Sequence, residues 1–346
     1  MHYTKVVLET FGYELPPIAV SSGELEAALA PCYARLRLSS GQLTALTGVE
    51  ERRWWPPETS LAQKCIAAAS MALERTPLPR EEIGALIYGG VCREQFEPAT
   101  ACRIAAGLEL APGCEMFDLS NACLGVLNGV VEVANRIELG QIRAGLVVSA
   151  ESAREIVEET IQRLNQGATI DDFRGSVATL TGGSGAIAVL ITDGSFGRAG
   201  HRLLGGVTRC QPQHFELCRW GVERNVGLDY RQFMRTDASE VLRHGVELGR
   251  QTWHQFLPEL GWERADVDRI VCHQVGSMHR EGILRALDID ASRDFSTFSL
   301  LGNTGTVALP LAAALAEEQG FLQAGQRIAF LGIGSGLTCQ MLGWLW

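Results

Sequence analysis

The chain has 346 residues, 46% of them hydrophobic, enough to bury one large core or two fused ones. A formal net charge of −10 at pH 7 argues against a nucleic-acid binder, which needs a basic face to neutralise phosphates. It leaves room for basic patches that meet an acidic carrier protein or a nucleotide-bearing cofactor.

Strand and helix patterns alternate from end to end. The first strand-like run is "TKVVLET"; no signal peptide precedes it, and no apolar stretch reaches the ~18 residues of a membrane span, so a cytoplasmic protein is expected. "SLAQKCIAAASMALERT" has helical periodicity and leads through "PLPREE" into "IGALIYGG", a buried-strand run ending in glycines. The helical "PATACRIAAGLEL", the short strand "CEMFDLS", the helix "ACLGVLNGVVEVANRIELG" and the strand "AGLVVSAE" follow. The segment 154–180 is polar and amphipathic and decorates the core. Continuous apolar strands separated by helices predict a mainly parallel sheet covered on both faces.

The second half repeats this order. "VDRIVCHQV" after "LGWERAD" echoes "IGALIYGG" after "LPREE", and "GQRIAFLGIGSG" echoes "GQIRAGLVVSAES". The chain therefore divides into two copies of one α/β unit, expected at residues 1–175 and 176–346. The glycine-rich "TGGSGAIAVL" and "GIGSGLTC" lack the order of a phosphate loop and read as tight packing or a turn beside a site.

Ten cysteines are scattered without a CxxC pair, which points to a reducing compartment and away from zinc; no metal is expected. Cys123 follows "MFDLS" and the pair Ser120-Asn121 at a strand-to-helix turn, with the thiol placed in the first helical turn. Unpaired N–H groups and the helix dipole can stabilise a thiolate there; a buried structural cysteine is the plain alternative. His273 ends the apolar strand "DRIVCHQV", as a satisfied core histidine, an acid/base group or an oxyanion donor. Asn303 lies between glycines in "SLLGNTGTVALPLAAAL", as a turn former or as an amide donor to the pocket of His273.

Together these segments resemble the thiolase-fold condensing enzymes, specifically the β-ketoacyl synthase III group. "TGVEERRWW" is similar to that group's segment with paired arginines, "NACLG" to its nucleophile turn and "CHQV" to its histidine strand. "GNTG" matches its asparagine loop and "LGIGSGLTC" its closing glycine loop. The resemblance covers essentially the whole chain. It implies a five-layer αβαβα fold of two pseudo-repeated halves with mainly parallel mixed sheets, and a homodimer. It also implies that Cys123 accepts an acyl group from a thioester. His273 and Asn303 would hold the carbonyl oxygen of the second substrate, and the backbone N–H groups of Cys123 and Ser335 would form the oxyanion hole.

"REQFEPATACRI" narrows the resemblance to the OleA-type branch, which joins two acyl-CoA molecules head to head without decarboxylation. That chemistry needs a base for an unactivated α-proton. Glu97, 26 residues before Cys123, stands where that branch carries it, on a loop that reaches into the partner subunit. Otherwise Glu97 is an acid favourable at a helix N-terminus, ahead of Pro98. Initiating synthases stack the CoA adenine on a tryptophan ahead of the TG pair; here that position is Leu46. Arg52, Arg53 and Trp54 offer cationic and aromatic groups for CoA instead, or pack.

The expected activity is non-decarboxylative Claisen condensation of two acyl thioesters to a β-ketoacyl product, with acyl-CoA or an acyl-carrier-protein thioester as substrate and no permanently bound cofactor. The alternatives are decarboxylative condensation with a malonyl thioester (fatty-acid initiation, polyketide or pyrone synthesis), a non-condensing acyltransferase using Cys123, and a silent scaffold. Downstream pathway enzymes or an acyl carrier protein are the further partners to expect.

Overall fold

Strands and helices alternate as the apolar pattern predicts in the computed structural model, which describes residues 1–197, 200–224 and 230–346. The strands are β1 (Val7–Glu14), β2 (Ile18–Ser21), β3 (Glu51–Trp54), β4 (Ile83–Gly89), β5 (Glu115–Leu119), β6 (Ala144–Glu151) and β7 (Gly185–Thr192). They continue with β8 (His201–Cys210), β9 (Cys218–Arg224), β10 (Tyr230–Thr236), β11 (Arg269–Cys272), β12 (Arg327–Gly334) and β13 (Thr338–Leu345). The helices are α1 (Ser22–Ala28), α2 (Ala30–Leu36), α3 (Gln42–Thr47), α4 (Leu61–Glu74), α5 (Thr100–Gly107) and α6 (Gly125–Glu138). Then come α7 (Arg154–Asn165), α8 (Ile170–Leu180), α9 (Ala238–Leu260), α10 (Ser277–Leu287), α11 (Phe298–Leu301) and α12 (Ala308–Glu318).

Nine strands form one mixed sheet in the order β11-β12-β13-β8-β1-β7-β6-β4-β5. The duplication is visible in it: β4-β6-β7-β1 is repeated by β11-β12-β13-β8. The place beside β4 taken by β5 is occupied beside β11 by a single bridge, Ile270 to Asp294. β1 and β8 join the two groups through the pairs Val7 with Arg202 and Leu8 with His201, continued by the bridge His2 to Gly205. The pairs β4–β5, β4–β6 and β11–β12 are parallel, whereas β7 and β13 run antiparallel to their neighbours. β7 is bonded between β6 and β1, within the first group of strands, and the division expected at 175/176 falls inside α8.

Period-two alternation builds the layers, because successive strand side chains face opposite sides. On β7, Ile187, Val189 and Ile191 point inward to α6 and α12, while Ala186, Ala188 and Leu190 point outward to α4 and α5. On β12, Ile328 and Phe330 face the same central helices, and Ala329 and Leu331 face α9 and α10. The order is therefore α4/α5, first half-sheet, α6/α12, second half-sheet, α9/α10. α7 and α8 lie outside this stack and pack with α1 to α3 through Leu25, Leu29, Val157, Leu164 and Phe173.

Candidate active site

The chain leaves β5 at Leu119 and turns through Ser120–Leu124 into α6. Ala122 has φ +45°, in the left-handed region that penalises side chains, so the turn takes a small residue there. The same backbone stops α6 from extending back over Cys123. The thiol stands in the turn ahead of the helix, not in its first turn as the sequence suggests. Side chains hold the turn in place: Asn121 Nδ2 donates to Asn128 Oδ1 (2.6 Å), and Asn128 Nδ2 donates to Gln340 Oε1 of β13 (3.1 Å). The N–H of Val126 donates to Thr306 Oγ1 (2.9 Å). A β-carbon on Gly125 would lie 2.9 Å from the carbonyl carbon of Gly89, so only glycine lets α6 start against the end of β4.

His273 follows β11 directly, and its N–H extends the parallel ladder to the Leu331 carbonyl (3.0 Å). The buried Gln274 fixes the next step, donating to the Cys272 carbonyl (2.7 Å) and accepting from Thr297 N–H (3.0 Å). Asn303 is held by its backbone against the 181–183 loop: its N–H donates to Thr181 O (3.0 Å) and its carbonyl accepts from Gly183 (2.9 Å). Its side-chain Oδ1 accepts the N–H of Gly305 (3.0 Å), and the residue lines the cavity described below. The loops "TGGSG" and "GNTG" are thus tight backbone packing beside the site.

Cys123, His273, Asn303 and Ser335 line one cavity of about 530 Å³. Its polar end is formed by the nucleophile turn, the asparagine loop and the β12–β13 turn. Its apolar walls come from Ile156 of α7, Trp220 of β9, Phe233 and Met234 of β10, Val241 of α9, and Leu337. A volume of a few hundred Å³ with few polar groups suits an apolar ligand. The Cα of Gly334 packs against the Cys123 backbone nitrogen, where an added β-carbon would lie 3.4 Å away.

Burial dominates the electrostatics. It pushes the Cys123 thiol from an ordinary 9.0 up to about 12, with further upward contributions from the Cys218 thiol and Glu151. Such a rise corresponds to about 4 kcal/mol against the thiolate. A helix terminus offers about 0.3–2 kcal/mol, and only within its first turn, so the expected thiolate stabilisation by α6 loses. His273 is pushed down to about 4, mainly by burial and further by His279 beside it. Its Nδ1 is buried with no hydrogen-bond partner among the described residues. The resting pair is therefore neutral thiol and neutral imidazole, and an imidazole N–H remains to donate.

Glu97 is exposed and does not line the cavity of its own chain. It stands beside the fully exposed Phe96 on a loop pinned at both ends. Glu94 accepts the Ala62 N–H and pairs with Arg103, while Asp118 accepts the N–H groups of Thr100 and Ala101 at the start of α5. The arginine–tryptophan segment is structural. Arg52 is 1% exposed and donates to Val20 O, Ser22 Oγ and Leu180 O. Trp54 is buried with its Nε1 on Gly182 O, and Arg53 pairs with Glu51. Arg52 and Trp54 offer no surface to a nucleotide, because β3 uses both to fasten the 180–182 turn.

Residues 257–346 match the 3-oxoacyl-[acyl-carrier-protein] synthase III C-terminal family. Over the full length of both chains, the protein is 52% identical to the acyl-CoA:acyl-CoA alkyltransferase of Shewanella oneidensis. It is 33% identical over 95% of both chains to that of Xanthomonas campestris. This chain belongs to the OleA-type branch of the β-ketoacyl synthase III family. The fold agrees: a cysteine-to-serine variant of Xanthomonas campestris OleA, solved with bound lauric acid and lauroyl-CoA, superposes with a TM-score of 0.93 at 32% identity. That alignment covers 99% of this chain and 100% of the other.

Within this OleA-type acyltransferase the sequence pattern misses several cavity residues. Glu151 closes a buried apolar strand, and a charge ending such a run is the signal that marks it. Thr306, Gln340, Cys218 and His279 carry no pattern of their own; only the fold brings them to the cavity or its supports. Among the described residues, no helix is long and apolar enough to cross a membrane, and no three His, Cys, Asp or Glu side chains gather to hold a metal ion.

Proposed function

We propose that the chain condenses two acyl-CoA molecules without decarboxylation, giving a β-ketoacyl product and free CoA. The observation that supports this most is the joining of an apolar cavity of acyl-chain character to a thiol, an imidazole and a primary amide at one end. In the first step Cys123 Sγ bonds to the thioester carbonyl carbon, the C–S bond to CoA breaks, and the thiol proton passes through His273 to the departing CoA sulfur. The backbone N–H groups of Cys123 and Ser335 receive the oxyanion.

In the second step the α-carbon of another acyl-CoA loses a proton to Glu97 of a second copy of this chain. His273 and the Asn303 amide donate to the enolate oxygen. The α-carbon attacks the acyl carbonyl on Cys123; the C–S bond breaks and the sulfur recovers the proton. The exposed loop at Phe96 and Glu97, away from its own cavity, supports delivery in trans and hence a homodimer. Incubation with a long-chain acyl-CoA alone is expected to yield free CoA and a β-keto acid after hydrolysis. Glu97→Gln is expected to stop condensation but leave the acyl adduct on Cys123. Product that appears only with a malonyl thioester overturns the proposal, and an adduct that never forms a carbon–carbon bond indicates a plain acyltransferase.

A further inference from the structure

Glu151 takes part in neither step, yet it is the one acidic side chain in the cavity wall among the described residues. It ends β6 and is 4% exposed. Its Oε1 accepts the N–H of Val91 (2.9 Å) and its Oε2 that of Cys92 (3.0 Å), the second and third residues of the loop that carries Glu97. No Lys or Arg pairs with it among the described residues. Burial raises the carboxyl pKa, and the hydrogen bonds from Val91 and Cys92 work against that rise: both oxygens accept, which is the bonding of an ionised carboxylate, and bonds from N–H to an ionised acceptor are about twice as strong as neutral ones.

The groups facing Glu151 are Tyr88 of β4, Cys65 of α4, Cys92 and Arg93 of the loop, and Cys123 across the cavity. Facing Cys123 in turn are Glu151 and Cys218 of β9, with His273 and His279 in the same cavity wall. We propose that Glu151 is a positioning residue that couples the Glu97 loop to the nucleophile cavity, its carboxylate fixing the start of the loop while its charge faces Cys123. A negative charge there disfavours a second one on sulfur, so the resting thiol stays protonated until an acyl group removes the conflict. The loop half of this proposal rests on the condensation proposed above; the charge half does not.

The test uses the full chain with Glu151→Gln and Glu151→Asp. It follows iodoacetamide alkylation of the Cys123 peptide by mass against pH, CoA release in a single acylation turnover, and β-keto product at steady state. Removing the charge is expected to raise Cys123 alkylation at pH 8 roughly three- to tenfold. Acylation of the Gln variant is expected within about threefold of the parent, while condensation falls on the order of tenfold or more as the loop shifts. The Asp variant keeps the charge and the parental alkylation profile, with intermediate condensation. An alkylation profile of Glu151→Gln that superposes on the parent overturns the proposal, as do acylation and condensation falling in equal proportion. If the Gln variant fails to fold by circular dichroism, the Asp variant decides: a profile moved to lower pH is the overturning result. A parent that makes no β-keto product from acyl-CoA defeats the condensation reading alone, because the alkylation profiles still report the charge.

Discussion

Thr306→Val removes one oxygen and nearly nothing else. Thr306 is 1% exposed, and its hydroxyl accepts the N–H of Val126, two residues into α6 and three beyond Cys123. Valine keeps the branched shape but leaves a buried N–H without a partner, at a cost of about 1–3 kcal/mol. The first turn of a helix already has four N–H groups lacking intrahelical acceptors, so no other carbonyl takes over. For a chain of this size that loss lowers the apparent melting temperature by about 1–4 °C. The functional effect is larger, since the same bond ties the nucleophile turn to the asparagine loop. A displacement of about 1 Å costs up to ~100-fold in rate, so acylation is expected to slow by at least about tenfold. The assay is single-turnover CoA release beside thermal and urea unfolding. Thr306→Ser retains the hydroxyl and is expected to acylate within about threefold of the parent. A Val variant with parental stability and acylation, or a Ser variant that fails like Val, refutes the reasoning.

Mixing Cys123→Ser with Glu97→Gln, each inactive alone, is expected to restore about a quarter of parental condensation, because a random two-fold dimer then contains one complete site in half of its copies. No recovery after subunit exchange speaks against delivery in trans. His273 is neutral above about pH 4, its folded value lying below the ordinary one, so acylation should show no acid limb near pH 6.5. An acid limb near 6.5 that vanishes in His273→Ala contradicts this. Alkylation of the resting Cys123 should climb steadily to pH 10, as a thiol at about 12 requires, and a plateau by pH 8 opposes it. Arg52→Ala removes the donor to the buried Leu180 carbonyl and the partly buried Val20 carbonyl and should cost about 2–4 kcal/mol, with KM for acyl-CoA in the folded fraction unchanged. A raised KM with normal stability returns Arg52 to a binding role.

The layers were legible because periodicity records burial. The central and outer faces of β7 and β12 alternate residue by residue, and the repeat of β4-β6-β7-β1 as β11-β12-β13-β8 left echoes such as "GQIRAGLVVSAES" and "GQRIAFLGIGSG". Strand direction was not legible, since antiparallel β7 and β13 are as continuously buried as parallel β4. Small residues and glycines mark the turns that carry Cys123 and Asn303, and His273 ends an apolar strand; singly these signals are weak, and it is the resemblance in motif order that joins them. The charge state of Cys123 was missed because a local pattern shows the approach to a helix but not the burial that outweighs it. The two readings left open for Arg52 and Trp54 have the same origin: cationic and aromatic residues allow a ligand or a packing role until tertiary partners, here Leu180 and Gly182, are known.

Why the base should come from outside the cavity follows from where the lone pairs point. A general base for an α-proton needs an oxygen aimed at substrate and free to accept. Glu151 lies in the wall, but each of its oxygens already holds a backbone N–H, and freeing one would release the loop at Val91 or Cys92. His273 is neutral and is needed as a donor to the enolate oxygen, a role incompatible with taking the α-proton through the same nitrogen. Asn303 has no basic atom, and its Oδ1 is held by Gly305. The nucleophile itself becomes a thioester before the carbanion forms. With Glu151, His273, Asn303 and Cys123 each engaged, a carboxylate carried on an anchored, exposed loop satisfies the remaining requirement. Glu97 has that placement, and Glu151 is the residue that sets where its loop begins.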